Sequence, residues 1–264
     1  MSQTTAAVLG AIAGFTIFIG LPVARVRGLP RPVQGFMNAL ATGVLLFLLW
    51  DILSHAGEPV EAALTARHSD FPLLLLLFGA GIGGGLLSLV YFNGALLHRL
   101  RGPVAAGAGA APPSPQALSM MIATGLGLHN FSEGLAIGQS AATGAVAFAG
   151  ILVVGFALHN ITEGFGIAAP MTVAPTPVSW GFLALTGLVG GAPTFFGTVV
   201  GYLFRSDLVY VLFLALAAGA IIYVLNELFV LGRRITTPRV MGWGVLVGLL
   251  AAYATDLFLT FVGG

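Results

Sequence analysis

Long apolar runs broken by short polar segments organise this chain. Stretches of about 20 apolar residues, the length that crosses a ~30 Å hydrocarbon core, recur eight times, at roughly 6–24, 33–54, 71–97, 117–139, 145–169, 179–204, 208–230 and 239–261. Runs such as Leu73–Phe78 lack the alternation of barrel strands. In lipid only helices or a closed barrel satisfy every backbone group, so the spans are predicted to be helical. The expected fold class is all-α: a polytopic membrane bundle of eight transmembrane helices forming one domain over residues 1–264. The first span has no basic residue before it and Arg25, Arg27 and Arg31 after it, the reverse of a cleavable signal peptide, and is read as a retained helix.

Composition supports lipid as the solvent. The chain is 58% hydrophobic and 7% charged, against roughly 25% charged in soluble domains. A net charge of +1 offers no surface for nucleic acid. The absence of cysteine excludes disulfides and thiolate metal sites. All ten basic residues are arginine, and eight lie in alternate loops: Arg25, Arg27 and Arg31; Arg99 and Arg101; Arg233, Arg234 and Arg239. Only Arg67 and Arg205 fall on the other side. The positive-inside rule makes the arginine-rich loops cytoplasmic and puts both termini outside, in the cell (inner) membrane. Residues 98–116 then form a cytoplasmic linker, whose Ala-, Gly- and Pro-rich part Gly102–Pro115 reads as flexible.

The chemistry lies in side chains that lipid disfavours. An ionisable group at mid-bilayer costs about 2.5–3.5 kcal/mol even on insertion scales, so each needs a partner or a purpose. Span 4 reads GLHNFSEGLAIG, with His129, Asn130 and Glu133; span 5 reads ALHNITEGFGIA, with His159, Asn160 and Glu163. The offset is a constant 30 residues. At helical spacing Glu133 shares a face with His129 and with Asn130, while those two diverge, so the carboxylate lies between them. Each glutamate can therefore serve two coordination sites, and two adjacent ions are expected. Imidazole with carboxylate suits Zn²⁺, Fe²⁺, Co²⁺ or Mn²⁺. Glu227 in span 7 adds a third carboxylate, so that two divalent cations offset a cluster that otherwise repels itself or binds protons.

These paired HNxxEG segments on consecutive helices, within eight spans, resemble the ZIP (Zrt/Irt-like) family of divalent metal transporters, prokaryotic type. The resemblance implies a 3+2+3 helical bundle carrying zinc, or else iron, manganese, cobalt or cadmium, toward the cytoplasm. It implies one site from His129, Glu133, His159 and Glu163 and a second from Asn130, Glu133, Asn160, Glu163 and Glu227. In some members a block including the two motif helices slides against a scaffold. The metal would be transported substrate, the partners divalent metal ions and the lipid bilayer, and the assembly a homodimer. Many relatives carry proline before the motif glutamate; here Ser132 and Thr162 stand there and can bond back to the preceding turn. The histidine-rich loop of some relatives is missing, leaving His98, and Ala192 stands before Pro193 where others have glutamate.

Structural alternatives stand beside each reading. The histidines and glutamates could form a packing network, the asparagines interhelical glue, and Glu227 could reach to water. Asp51 and His55 form an i, i+4 pair at the outer end of span 2, a solvated helix end or an auxiliary metal site. Asp256 pairs with a polar partner or joins the pathway. His68, Asp70, Glu58 and Glu61 are expected in a solvated outer loop, and Ser206 with Asp207 as a helix start. Gly134 and Gly164, after the ligands, are expected to leave room for a hydrated ion or a sliding neighbour. Two other functions were weighed. A metalloprotease needs HExxH, and asparagine replaces its general base here, so no enzyme is expected; a proton-coupled carrier of a non-metal solute would use the glutamates as relays. Antiparallel ideal helices would leave the motif centres staggered by roughly 9–12 Å, so a shift or bend is expected.

Overall fold

The computed structural model describes all residues except 27, 102–112, 143–145, 175, 205 and 264, and all side chains except additionally those of 92–101, 146–148, 151, 152, 155, 159, 258–260, 262 and 263. The expectations for Arg27, Arg99, Arg101, Arg205, His98, the His159 side chain and most of the linker therefore lie outside the described residues. Everything regular among the described residues is helical. The order is α1 (Gln3–Phe15), α2 (Ile17–Gly20), α3 (Arg31–Thr65), α4 (Phe71–Arg101), α5 (Pro115–Ala142), α6 (Val146–Ala168), α7 (Trp180–Leu203), α8 (Asp207–Ile235) and α9 (Pro238–Gly263). Six apolar stretches among the described residues are long and apolar enough to cross a membrane: Gln3–Arg25, Arg31–Thr65, Phe71–Tyr91, Trp180–Leu203, Asp207–Ile235 and Pro238–Leu257.

The first predicted span is interrupted. Between α1 and α2 the Thr16 hydroxyl bonds the carbonyls of Ala13 at 2.6 Å and of Ala157 in α6 at 2.7 Å. This side-chain competition for backbone acceptors is the kind that loosens a helical ladder. A second difference lengthens span 2. At 35 residues α3 is about 52 Å long, well beyond a ~30 Å hydrocarbon core. Glu58 and Glu61, expected in a loop, are exposed residues of its last turns. Helix-favouring Glu, Ala and Leu carry α3 past Pro59, and it stops where Arg67 turns left-handed at φ 52°. His68 and Asp70 do lie in the exposed turn that follows, and Ser206 caps α8.

Packing divides the bundle. α5 lies chiefly along α7, which also receives α1; α4 lies along α8, and α3 along α9 and α8. The two groups meet where α5 crosses α8, α6 crosses α9 and α3 crosses α6. Small residues set these close approaches. A Cβ on Gly134 would stand 2.2 Å from the Thr194 carbonyl, and one on Gly197 would stand 2.0 Å from that of Phe131, so α5 and α7 touch backbone to backbone. Gly81 and Gly85 of α4 abut Ala215 and Leu216 of α8 in the same way.

The expectation for Gly134 and Gly164 is corrected here. A Cβ on Gly164 would lie 2.0 Å from the Ile17 carbonyl, so neighbouring helix backbones, α7 for Gly134 and α2 for Gly164, fill the space assigned to an ion.

Candidate metal centre

α5 and α6 run unbroken through both motifs, and His129, Asn130, Glu133, Asn160 and Glu163 are all buried. The two motifs meet at their asparagines, whose side chains touch directly. Asn130 Nδ2 donates to Asn160 Oδ1 at 2.7 Å, to Glu163 Oε2 at 2.8 Å and to the Gly190 carbonyl at 3.0 Å. Asn160 Nδ2 donates to the Ala13 carbonyl at 3.1 Å, beside the break in the first span. All three neighbours of Asn130 Nδ2 are acceptors, so rotating the amide by 180° would set oxygen against oxygen. That fixes Asn130 Oδ1 on the other side, where it is buried without a hydrogen-bond partner among the described residues.

On the same helix His129 Nε2 stands 3.4 Å from Glu133 Oε1, the i, i+4 juxtaposition the spacing predicts. A tetrahedral Zn²⁺ with bonds of about 2.0–2.1 Å holds its ligand atoms about 3.3–3.4 Å apart. The pair therefore has the span of one edge of such a tetrahedron. His129 and Glu133 are both near enough to Glu163 to act on it electrostatically. Among the described residues, no three His, Asp or Glu side chains converge closely enough to hold one ion.

Glu227 lies elsewhere. With Arg234, Leu231, Pro113, Pro115 and Leu118 it lines a cavity of about 70 Å³. Leu118 is twelve residues before Asn130, about 18 Å along α5. The helix crossing agrees: Phe131 stacks on Phe213 at 4.3 Å, Gly125 faces Ala220, and Glu227 falls about two turns further along α8. Leu126, Ile122, Leu45, Leu48, Ile221 and Val224 pack as part of one apolar cluster.

On the other side of the centre the surroundings are polar. Asp51 and His55 of α3 interact electrostatically with His129, and Tyr210 of α8 with Asp51, Glu58 and Glu133.

Sequence reasoning missed two groups that hold the centre in place, the Gly190 and Ala13 carbonyls. Pro193 was the available signal for the first. Proline removes the amide donor that would bond the Val189 carbonyl of α7, one residue before the Gly190 carbonyl that accepts from Asn130. No side-chain pattern announced Ala13. Ser132, expected to bond back to the preceding turn, instead buries its hydroxyl without a partner among the described residues.

Helices of membrane-crossing length around a buried polar centre of imidazole, amide and carboxylate define a multi-pass membrane protein. The family model described as ZIP Zinc transporter matches residues 107–230, which contain both motifs, so this part of the chain is similar to that family of divalent metal transporters. The family comprises transporters rather than enzymes. No curated protein matches the chain.

Proposed function

We propose that the protein carries Zn²⁺, and less well other divalent first-row metals, across the cell membrane into the cytoplasm. Its chain crosses eight times in a 3+2+3 order with both termini outside, and the arginine-rich end faces the cytoplasm. The observation that carries this reading is the His129–Glu133 pair, 3.4 Å apart and buried in a lipid-facing bundle. His129 and Glu133 supply two ligands of one ion site, and Glu163 and His159, which share a face of α6 by their spacing, complete it once they draw in around the ion.

The second ion belongs to Asn130, Asn160 and the two glutamates. In this state the Asn130 amino group bonds the oxygens that would surround it, acting as a hydrogen-bonded stand-in for a cation. Filling that site requires the Asn130 amide to turn and present Oδ1. Glu227, three turns nearer the cytoplasmic end, receives the ion after it leaves the centre.

Zinc influx into liposomes containing the purified protein tests the reading. Glu133→Ala and Glu163→Ala are expected to abolish influx, and Asn130→Ala to leave a measurable fraction. Influx that is equally reduced in all three variants refutes the unequal roles of the two sites. Solute uptake indifferent to zinc favours a proton-coupled carrier instead.

A further inference from the structure

The arginines at the arginine-rich end are not equivalent. Arg25 is engaged: its guanidinium donates to the Val178 carbonyl and lies over the Trp180 ring, 4.7 Å from the centroid. Arg234 shares a cavity with Glu227. Arg31, Arg233 and Arg239 are exposed, and none of them forms an ion pair among the described residues. Arg233 Nε donates to the Phe229 carbonyl of its own helix at 3.3 Å.

Packing brings these three to one place. α3 and α9 run parallel, with Gly43 against the Val245 carbonyl and Gly244 against Ala39. This register sets Arg31 level with Thr236, and Gly35, one turn along the same face of α3, meets the Thr236 side chain. Thr236 and Thr237 join α8 to α9, with Arg233 three residues before Thr236 and Arg239 three after it. About 4.5 Å of helical rise separates the levels of Arg31 and Arg239. Glu227, six residues before Arg233, is turned about 120° away from it on α8, toward Leu118 of α5. Every other carboxylate of the chain lies at the centre or at the opposite end, so the patch is purely cationic.

Beyond Arg239 the exposed face of α9 is apolar. Trp243, Leu246 and Leu250 follow at i+4, i+7 and i+11, a single helical stripe, and are 66%, 46% and 51% exposed. From Arg239 to Leu250 the stripe runs about 16 Å, half of a ~30 Å hydrocarbon core. Tryptophan one turn inside a cation is the arrangement that settles at headgroup level. Cations at the interfacial end of an apolar stripe one leaflet long match the polarity of a single phospholipid, phosphate first and acyl chain after it.

We propose that Arg31, Arg233 and Arg239 bind the headgroup phosphate of an anionic phospholipid, whose acyl chain lies along Trp243, Leu246 and Leu250. Guanidinium groups take phosphate oxygens in pairs, and basic pockets between membrane helices hold such headgroups. A lipid with net negative charge is preferred to a zwitterionic one, because the patch holds no carboxylate to receive a headgroup cation. Bound there, the lipid ties the α8–α9 turn to the start of α3, in the half of the bundle that does not carry the motifs. The inference is independent of which cargo the centre carries.

The test titrates the purified full chain in detergent with phosphatidylglycerol and, separately, with phosphatidylcholine of the same acyl chains, and counts bound lipids by native mass spectrometry. The wild type is expected to hold phosphatidylglycerol about ten-fold more tightly or better. Each of Arg31→Gln, Arg233→Gln and Arg239→Gln is expected to weaken that binding about five-fold and to leave phosphatidylcholine unaffected. Arg67→Gln, at the opposite end, is expected to behave as wild type. Equal affinity of the wild type for the two lipids overturns the proposal, as does a preference that survives all three substitutions combined. Displacement of the lipid by glycerol phosphate also overturns it, since the patch would then be a free-anion site with no need of the stripe. So do disulfide-linked pairs of Leu246→Cys on oxidation of native membranes, which would give the stripe to a second copy of the chain. Should the triple variant fail to fold, Arg239→Gln decides alone.

Discussion

Asn130 is the residue on which the two motifs turn. Its amino group joins Asn160, Glu163 and Gly190, and through Asn160 the connection reaches Ala13. Removing it leaves buried acceptors short of a donor, at about 1–3 kcal/mol for each group left unsatisfied. Asn130→Ala is therefore expected to lower the thermal midpoint in detergent as well as weaken transport. Asn130→Asp, which opposes a carboxylate to three acceptors, is expected to lower it further in metal-free buffer and to regain part of the loss when zinc is added. Differential scanning fluorimetry with and without zinc reads both, and a variant indifferent to zinc would contradict the ligand role. At this scale the sequence was informative about residue type and spacing. The repeated His, Asn and Glu pointed to His129, Asn130, Glu133, Asn160 and Glu163, which are buried, and to the meeting of Glu133 with His129. It was silent about the asparagine geometry, because the acceptors that orient Asn130 and Asn160 are backbone carbonyls from α7 and α1, which carry no signature in side-chain pattern.

At the scale of elements, the contact of α5 with α7 explains what glycine does beside the motif. Gly134 and Gly197 interlock, each facing a carbonyl of the other helix. Gly134→Leu must push the helices apart, and overpacking of this kind costs about 1–3 kcal/mol or more. The expected result is loss of thermal stability and yield together with transport, measured by gel filtration and melting. A variant that melts as wild type but no longer transports would restore the reading of Gly134 as space for the ion. The sequence identified small-residue surfaces in these helices, but which neighbour each one meets depends on tertiary packing. Helix ends were legible to within a few residues where polar caps such as Ser206 mark them. They were misjudged at α3, where charged residues suggested a loop although Glu and Ala are good helix formers. Local propensity there outweighed the hydropathy boundary.

For the whole molecule, the separation of charge predicts orientation and pH response. The chain has no cysteine, so single cysteines report without background. A cysteine at Glu61 is expected to react with a membrane-impermeant thiol reagent in intact cells, and one at Arg234 only after lysis; the opposite pattern would reverse the topology. Imidazole must be neutral to bind metal, and its ordinary pKa is about 6.5. Protons therefore compete with zinc as pH falls through that value, and influx is expected to slow in acid. Acceleration in acid would identify protons as the driving ion.

The apolar cluster beneath the centre has one more consequence. Leu126, Ile122, Leu45, Leu48, Ile221 and Val224 belong to one packed apolar cluster. In a carrier, a hydrated ion passing this layer requires the polypeptide itself to rearrange. Flux should then plateau at the tempo of that rearrangement and rise steeply on warming, instead of scaling with the applied gradient as it does through an open pore.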